Sequence, residues 1–267
     1  MSAFQVVMEQ ARAALVDRPL VVLVLTYVSM WAFARLGAWL ATRRLVDLEL
    51  EGRSGFGVVM TATLTLLALI IGFTFSMAVS RYDQRKTYEE AEANAIGTEY
   101  LRADLLPAAD AAKVRPLLRS YLDRRIEFYL VRDTRDLDAI NSRTAQLQNE
   151  LWASVRSVAT AQPTPVNALV VAGMNDVLNS QGYTQAAYWN RIPPGVWLLM
   201  GIIAIAGNAL VGFGSRGARG AKPLLLVLPM VISLAFFLIA DIDSPHTGLV
   251  HVSAQNLVSL AGSLRAP

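Results

Sequence analysis

The residues of this chain whose types and spacing can do chemistry fall into four groups. RYDQRKTYEEAEANAIGTEYLR carries Glu89, Glu92 and Glu99 among Arg85, Lys86 and Arg102. Glu92 and Glu99 stand one heptad apart, so a helix puts them on nearly one face. Paired carboxylates can exchange protons or hold a cation; with Arg102 beside them, a solvated or salt-bridged polar face is the plainer reading. DIDSPHTG, at 241–248, places Asp241 and Asp243 near His246, with His251 just beyond. Hard cations want several oxygen ligands and zinc a fixed His/Cys set. Two aspartates at a helix end are therefore expected to cap or form a turn.

The third group comprises Arg35 and Asn208, polar residues inside apolar runs. Arg35 admits snorkelling toward headgroups, an internal pair, or a role in a pore or ligand site. Asn208 admits a hydrogen bond to a neighbouring helix or a place on a conduction path. The fourth group is Thr61, Thr65, Ala68, Gly72 and Ser76, a stripe of small and hydroxyl residues at helical spacing. Such a stripe lets helix backbones approach in lipid. It also suits the wall of a pore, with Phe73 or Met77 near a constriction that gates by dewetting.

Several chemistries are missing from the sequence. There is no cysteine, which removes disulfides, thiolate metal sites and Cys nucleophiles. G-x-S-x-G and H-E-x-x-H are absent, and GSRGARGAK at 214–222 is not a complete phosphate loop. No enzyme activity, metal or cofactor is expected. The net charge of +3 reflects Lys and Arg beside lipid headgroups; no basic stripe points to nucleic acid.

Four apolar runs must position these groups. Residues 20–42 and 56–80 form spans one and two, 193–213 span three, and 224–242 span four, with Pro229 as a kink. Pro193 and Pro194 suit a helix start, and Trp189 and Trp197 suit interface anchors. The first run is too long for a cleaved signal. Ahead of it, Phe4, Val7, Met8, Ala11 and Leu15 give residues 1–19 an amphipathic pattern. No Pro or turn cluster interrupts residues 56–106, which read as one helix leaving the membrane at Arg81. Pro107 ends it. Helices are expected from Val114, over 137–161 and over 166–178, making a helical domain of residues 81–192 with 14 basic and 14 acidic residues. A tail of residues 243–267 completes an all-α integral membrane protein with four transmembrane helices and a helical extramembrane domain between spans two and three.

LLALIIGFTFSMAVSRYDQRK running into EEAEANAIGTEYLRADLLP resembles the central block of the bacterial bestrophin-like domain family. YLDRRIEFY, LQNELW, RIPPGVW and DIDSPHTGLVHVS extend the resemblance over roughly residues 56–260. Where the family often carries Arg before the Pro of the last motif, Ser244 stands here. The resemblance implies kinship with bestrophins, homo-oligomeric anion channels whose second span lines the pore.

Charge counts do not orient the chain. Arg12, Arg18, Arg81, Arg85, Lys86 and Arg191 fall on one side, and Arg43, Arg44, Arg53, Arg216, Arg219 and Lys222 on the other. The resemblance places both termini and the helical domain in the cytoplasm, below a bacterial inner membrane. The expected function is a homo-oligomeric, anion-selective channel lined by the second span. The alternative is a non-conducting membrane scaffold or sensor whose helical domain binds a partner protein.

Overall fold

The computed structural model describes residues 17–43, 50–133, 135–215 and 221–265. The amphipathic reading of residues 1–16, and the charges at Arg44, Arg216 and Arg219, lie outside the described residues. The helices are α1 Pro19–Arg43, α2 Leu50–Arg102, α3 Ala108–Leu130, α4 Leu137–Ala161, α5 Pro165–Trp189, α6 Pro194–Gly214, α7 Ala221–Asp243 and α8 Gln255–Arg265. A 3₁₀ turn, Ala103–Leu105, follows α2. No strand occurs among the described residues.

Four stretches are long and apolar enough to cross a membrane, within Pro19–Thr42, Gly55–Leu105, Pro165–Gly214 and Leu225–Asp243. The protein is an all-α integral membrane protein. α2 is a single helix of 53 residues, about 80 Å long at ~1.5 Å per residue. It runs on past Arg81 because nothing breaks it before Pro107. That proline disfavours a helical Leu106, which turns extended, with ψ at 156°. α5 extends beyond the expected 166–178. Thr164 accepts the Asn167 N–H at 3.2 Å, Pro165 takes the first turn, and no proline follows until Pro193. Pro229 lies inside α7, where Ser233 donates to the Pro229 carbonyl at 2.7 Å.

The chain divides into two compact units. The membrane unit holds α1, residues 50–80 of α2, α6 and α7. α1 lies directly on α6 through a reciprocal pair of small-residue contacts. A Cβ on Gly37 would meet the Ala209 carbonyl, and one on Gly212 would meet the Ala34 carbonyl. Lipid supplies no hydrophobic drive between helices, so this close backbone approach carries the packing. α2 packs against α6 through Phe56, whose ring centroid is 5.5 Å from that of Phe213. Leu64 fills the space over Gly207.

The helical unit holds residues 81–190 and, from the C-terminal part of the chain, residues 245–247 and 251–267. Its core joins Ile96 of α2, Leu118 and Phe128 of α3, Leu147 and Leu151 of α4, and Val170 and Met174 of α5. Leu257 and Ala261 of α8 belong to the same core. Residues 255–265, expected within a tail, are thus a packed helix.

Gly212→Leu should force the α1–α6 crossing apart and cost about 1–3 kcal/mol, read as a lower melting temperature in detergent. Gly201→Leu, where a Cβ meets open space, should leave that temperature unchanged.

Candidate functional site

In the membrane unit α2 presents two contrasting faces. Leu67, Thr74 and Ala78 are buried in the protomer. Thr61, Thr65, Ala68, Gly72 and Ser76 are all exposed. At roughly 100° per residue their stripe is centred about 140° around the helix from the buried line. A Cβ on Gly72 would meet nothing within 4 Å, so the stripe does not serve helix packing inside the protomer. Phe73 is 65% exposed beside it, whereas Met77 is half-buried, turned toward the packing side. The Thr74 hydroxyl donates to the Ile70 carbonyl at 2.8 Å and so stays within its own helix.

The other intramembrane polar groups are separate from this stripe. Asn208 is fully buried in α6; its Nδ2 donates to the Ala204 carbonyl at 2.8 Å. Its place is in helix packing, away from any exposed surface. Arg35 is exposed on α1, its guanidinium 5.6 Å from the centre of the Trp31 ring. Among the described residues it has no ion pair.

Of the two readings of the Glu92 and Glu99 face, solvated or salt-bridged, solvation does not hold, since both are fully buried, and Glu92 is salt-bridged, to Arg125. The Glu92 carboxylate accepts from the guanidinium of Arg125, from the Tyr129 hydroxyl at 3.1 Å and from the Thr184 hydroxyl at 3.1 Å. Burial works against the Arg125 charge, and Glu92 beside it more than offsets that, holding the guanidinium protonated. Burial first, and Glu92 second, push the Tyr129 and Tyr121 hydroxyls up. Arg125 escaped the sequence reading because Arg124 stands next to it. Position tells them apart. Tyr121, Leu122, Arg125, Phe128 and Tyr129 follow the apolar stripe of α3, and all are buried. Arg124 instead pairs with Glu127 at 2.6 Å, half-exposed.

Two further glutamates differ in partner. Glu89 accepts the backbone N–H of Asn256 at 2.9 Å and of Leu257 at 3.0 Å, capping the start of α8. Among the described residues the Glu99 carboxyl has no hydrogen-bond partner. It rests against Gly173 of α5, where a Cβ would collide with it and with Arg102. Burial pushes Glu99 up to about 8, with Arg102 opposing and Asp176 adding to the rise.

Asp241 and Asp243 serve the turn after α7. Asp241 accepts the N–H groups of Leu249 at 2.7 Å and Val250 at 2.8 Å. Asp243 accepts the Ile192 N–H at 3.1 Å. Gly248 sits where a Cβ would strike the Asp241 carbonyl. No group of three or more His, Asp or Glu able to hold a metal occurs among the described residues.

Glu99 binds its proton in the folded chain up to about pH 8 and loses it near the ordinary 4.5 when unfolded. The folded state therefore holds the extra proton between these values, and stability declines as pH rises across that window. Glu99→Gln should flatten the fall in melting temperature between those pH values. Arg125→Met leaves Glu92 buried without its counter-charge and should cost about 3–5 kcal/mol, read by unfolding followed by circular dichroism.

The fold is that of solved bestrophin homologues. A point variant of a bacterial Bestrophin homologue from Klebsiella pneumoniae superposes with a TM-score of 0.64 at 14% identity, over 92% of this chain and 97% of that one. A structure of the homologue from that organism phased with zinc gives 0.62 at 15%, over 93% and 99%. No curated protein matches the sequence. The Bestrophin-like domain matches residues 28–257, and the chain belongs to the Bestrophin-like domain family.

Proposed function

We propose that this protein is a homo-oligomeric ion channel whose pore is lined by the membrane half of α2. One observation carries the reading. The exposed arc of Thr61, Thr65, Ala68, Gly72 and Ser76 faces away from the protomer's own packing surface. Only 6% of the apolar window in this stretch is buried, against 50% in the fourth. Hydroxyls and small side chains are a poor match to hydrocarbon and a good one to a wet path. Copies of the chain arranged about an axis would turn this arc inward, with exposed Phe73 at its margin as the constriction. Anion selectivity follows from the bestrophin resemblance, and no acidic side chain on α2 between Phe56 and Ser80 opposes it. The helical unit is assigned to the cytoplasm of a bacterial inner membrane on the same ground.

A scaffold or sensor that does not conduct is the second reading. It is favoured by apolar exposure in the helical unit, where Leu101 is 67% and Leu169 53% accessible.

Purified protein in planar bilayers should give single-channel currents that reverse near the chloride potential in a salt gradient. Phe73→Ala should raise unitary conductance several-fold, and Gly72→Leu should reduce it while leaving the melting temperature intact. Silence across voltage and pH, with a monomer in detergent, would contradict the channel. A reporter fused after Pro267 should be active only in the cytoplasm.

A further inference from the structure

We infer that Arg35, with Trp31 and Trp39, forms a binding site for the phosphate of an anionic phospholipid on the outer surface of α1. Trp31, Arg35 and Trp39 follow one another at intervals of four, so they lie along one side of the helix. All three are exposed. The opposite side of α1 is the one that packs, through Met30, Ala34 and Ala41.

A guanidinium at such a place needs a counter-ion. About 12 Å of helix separates Arg35 from the α1 terminus at Arg43, and its long stem lets the head reach toward that end. Indoles favour the depth where headgroups begin, and here they flank the charge on both sides. The Trp31 ring lies 5.6 Å from the guanidinium and covers one of its faces. The edge of the fork remains to offer paired N–H donors, the geometry that fits two phosphate oxygens.

The neighbouring surface identifies the source of the phosphate. Val24 is 61% exposed and Val28 53%, on the same side of α1 as Trp31. A free phosphate gains nothing from these side chains, whereas an acyl chain covers them. A net anionic headgroup is preferred because a zwitterionic one brings its own ammonium to compete with Arg35.

Native mass spectrometry of the full-length protein, titrated with phosphatidylglycerol or phosphatidylcholine, tests the site. The wild type should retain one more phosphatidylglycerol per subunit than Arg35→Gln, and Arg35→Lys should lose most of that excess. Millimolar inorganic phosphate should not displace the lipid. Equal retention by wild type and Arg35→Gln would overturn the inference, as would displacement by inorganic phosphate. Dissociation of the oligomer in Arg35→Gln would also overturn it, by assigning Arg35 to a contact between copies. In a second measurement, phosphatidylglycerol brominated on its acyl chains should quench tryptophan fluorescence more than equally brominated phosphatidylcholine. Joint replacement of Trp31 and Trp39 by Phe should remove that excess; equal quenching by both lipids in the wild type sinks the proposal.

Discussion

A backbone in lipid must satisfy its own hydrogen bonds, and the only cheap way for a single segment to do so is an unbroken helix. α2 meets that constraint and keeps meeting it after the apolar residues end. Its 53 residues belong to both compact units. Within the membrane unit it offers Phe56 and Leu64 to α6, and within the helical unit it contributes Glu89, Glu92 and Glu99. Because α2 packs along one side in the membrane unit, the other side is left to lipid or to further copies of the chain.

The two units are held by different physics. In the membrane unit the contacts depend on what is missing: Gly37 and Gly212 lack the side chains that would separate α1 from α6. In the helical unit water drives a conventional apolar core, and charges are built into it. The Glu92–Arg125 pair is tolerable there because Tyr129 and Thr184 occupy remaining acceptor capacity of the carboxylate. Glu99 resolves the same problem by keeping its proton, with Gly173 leaving just enough room for the uncharged carboxyl.

The fold class was legible in the sequence, because hydropathy, prolines and helix formers are local signals. Span two and its continuation needed only the lack of a breaker before Pro107. The turn-forming role of Asp241 could be read from Pro245 and Gly248 nearby. Other features depend on partners far along the chain. Glu89 caps a helix that begins at Gln255, and no local pattern joins them. Charge spacing left Glu92 either solvated or salt-bridged; its buried partners Arg125 and Thr184 come from other helices, which no local pattern reveals. Asn208 stood out as polar, yet only the structure shows its amide turned back on α6. The direction of the Thr61–Ser76 stripe was likewise undetermined until the packed side of α2 was known.

The absence of native cysteine allows the central claim to be tested directly. Single cysteines at Thr65, Gly72, Ser76 and, as a control, buried Leu67 can be exposed to a charged methanethiosulfonate during bilayer recording. If the exposed arc of α2 lines the ion path, modification should change the current for Thr65→Cys, Gly72→Cys and Ser76→Cys and leave Leu67→Cys unaffected. Modification that alters the current through Leu67→Cys and none of the other three would contradict it.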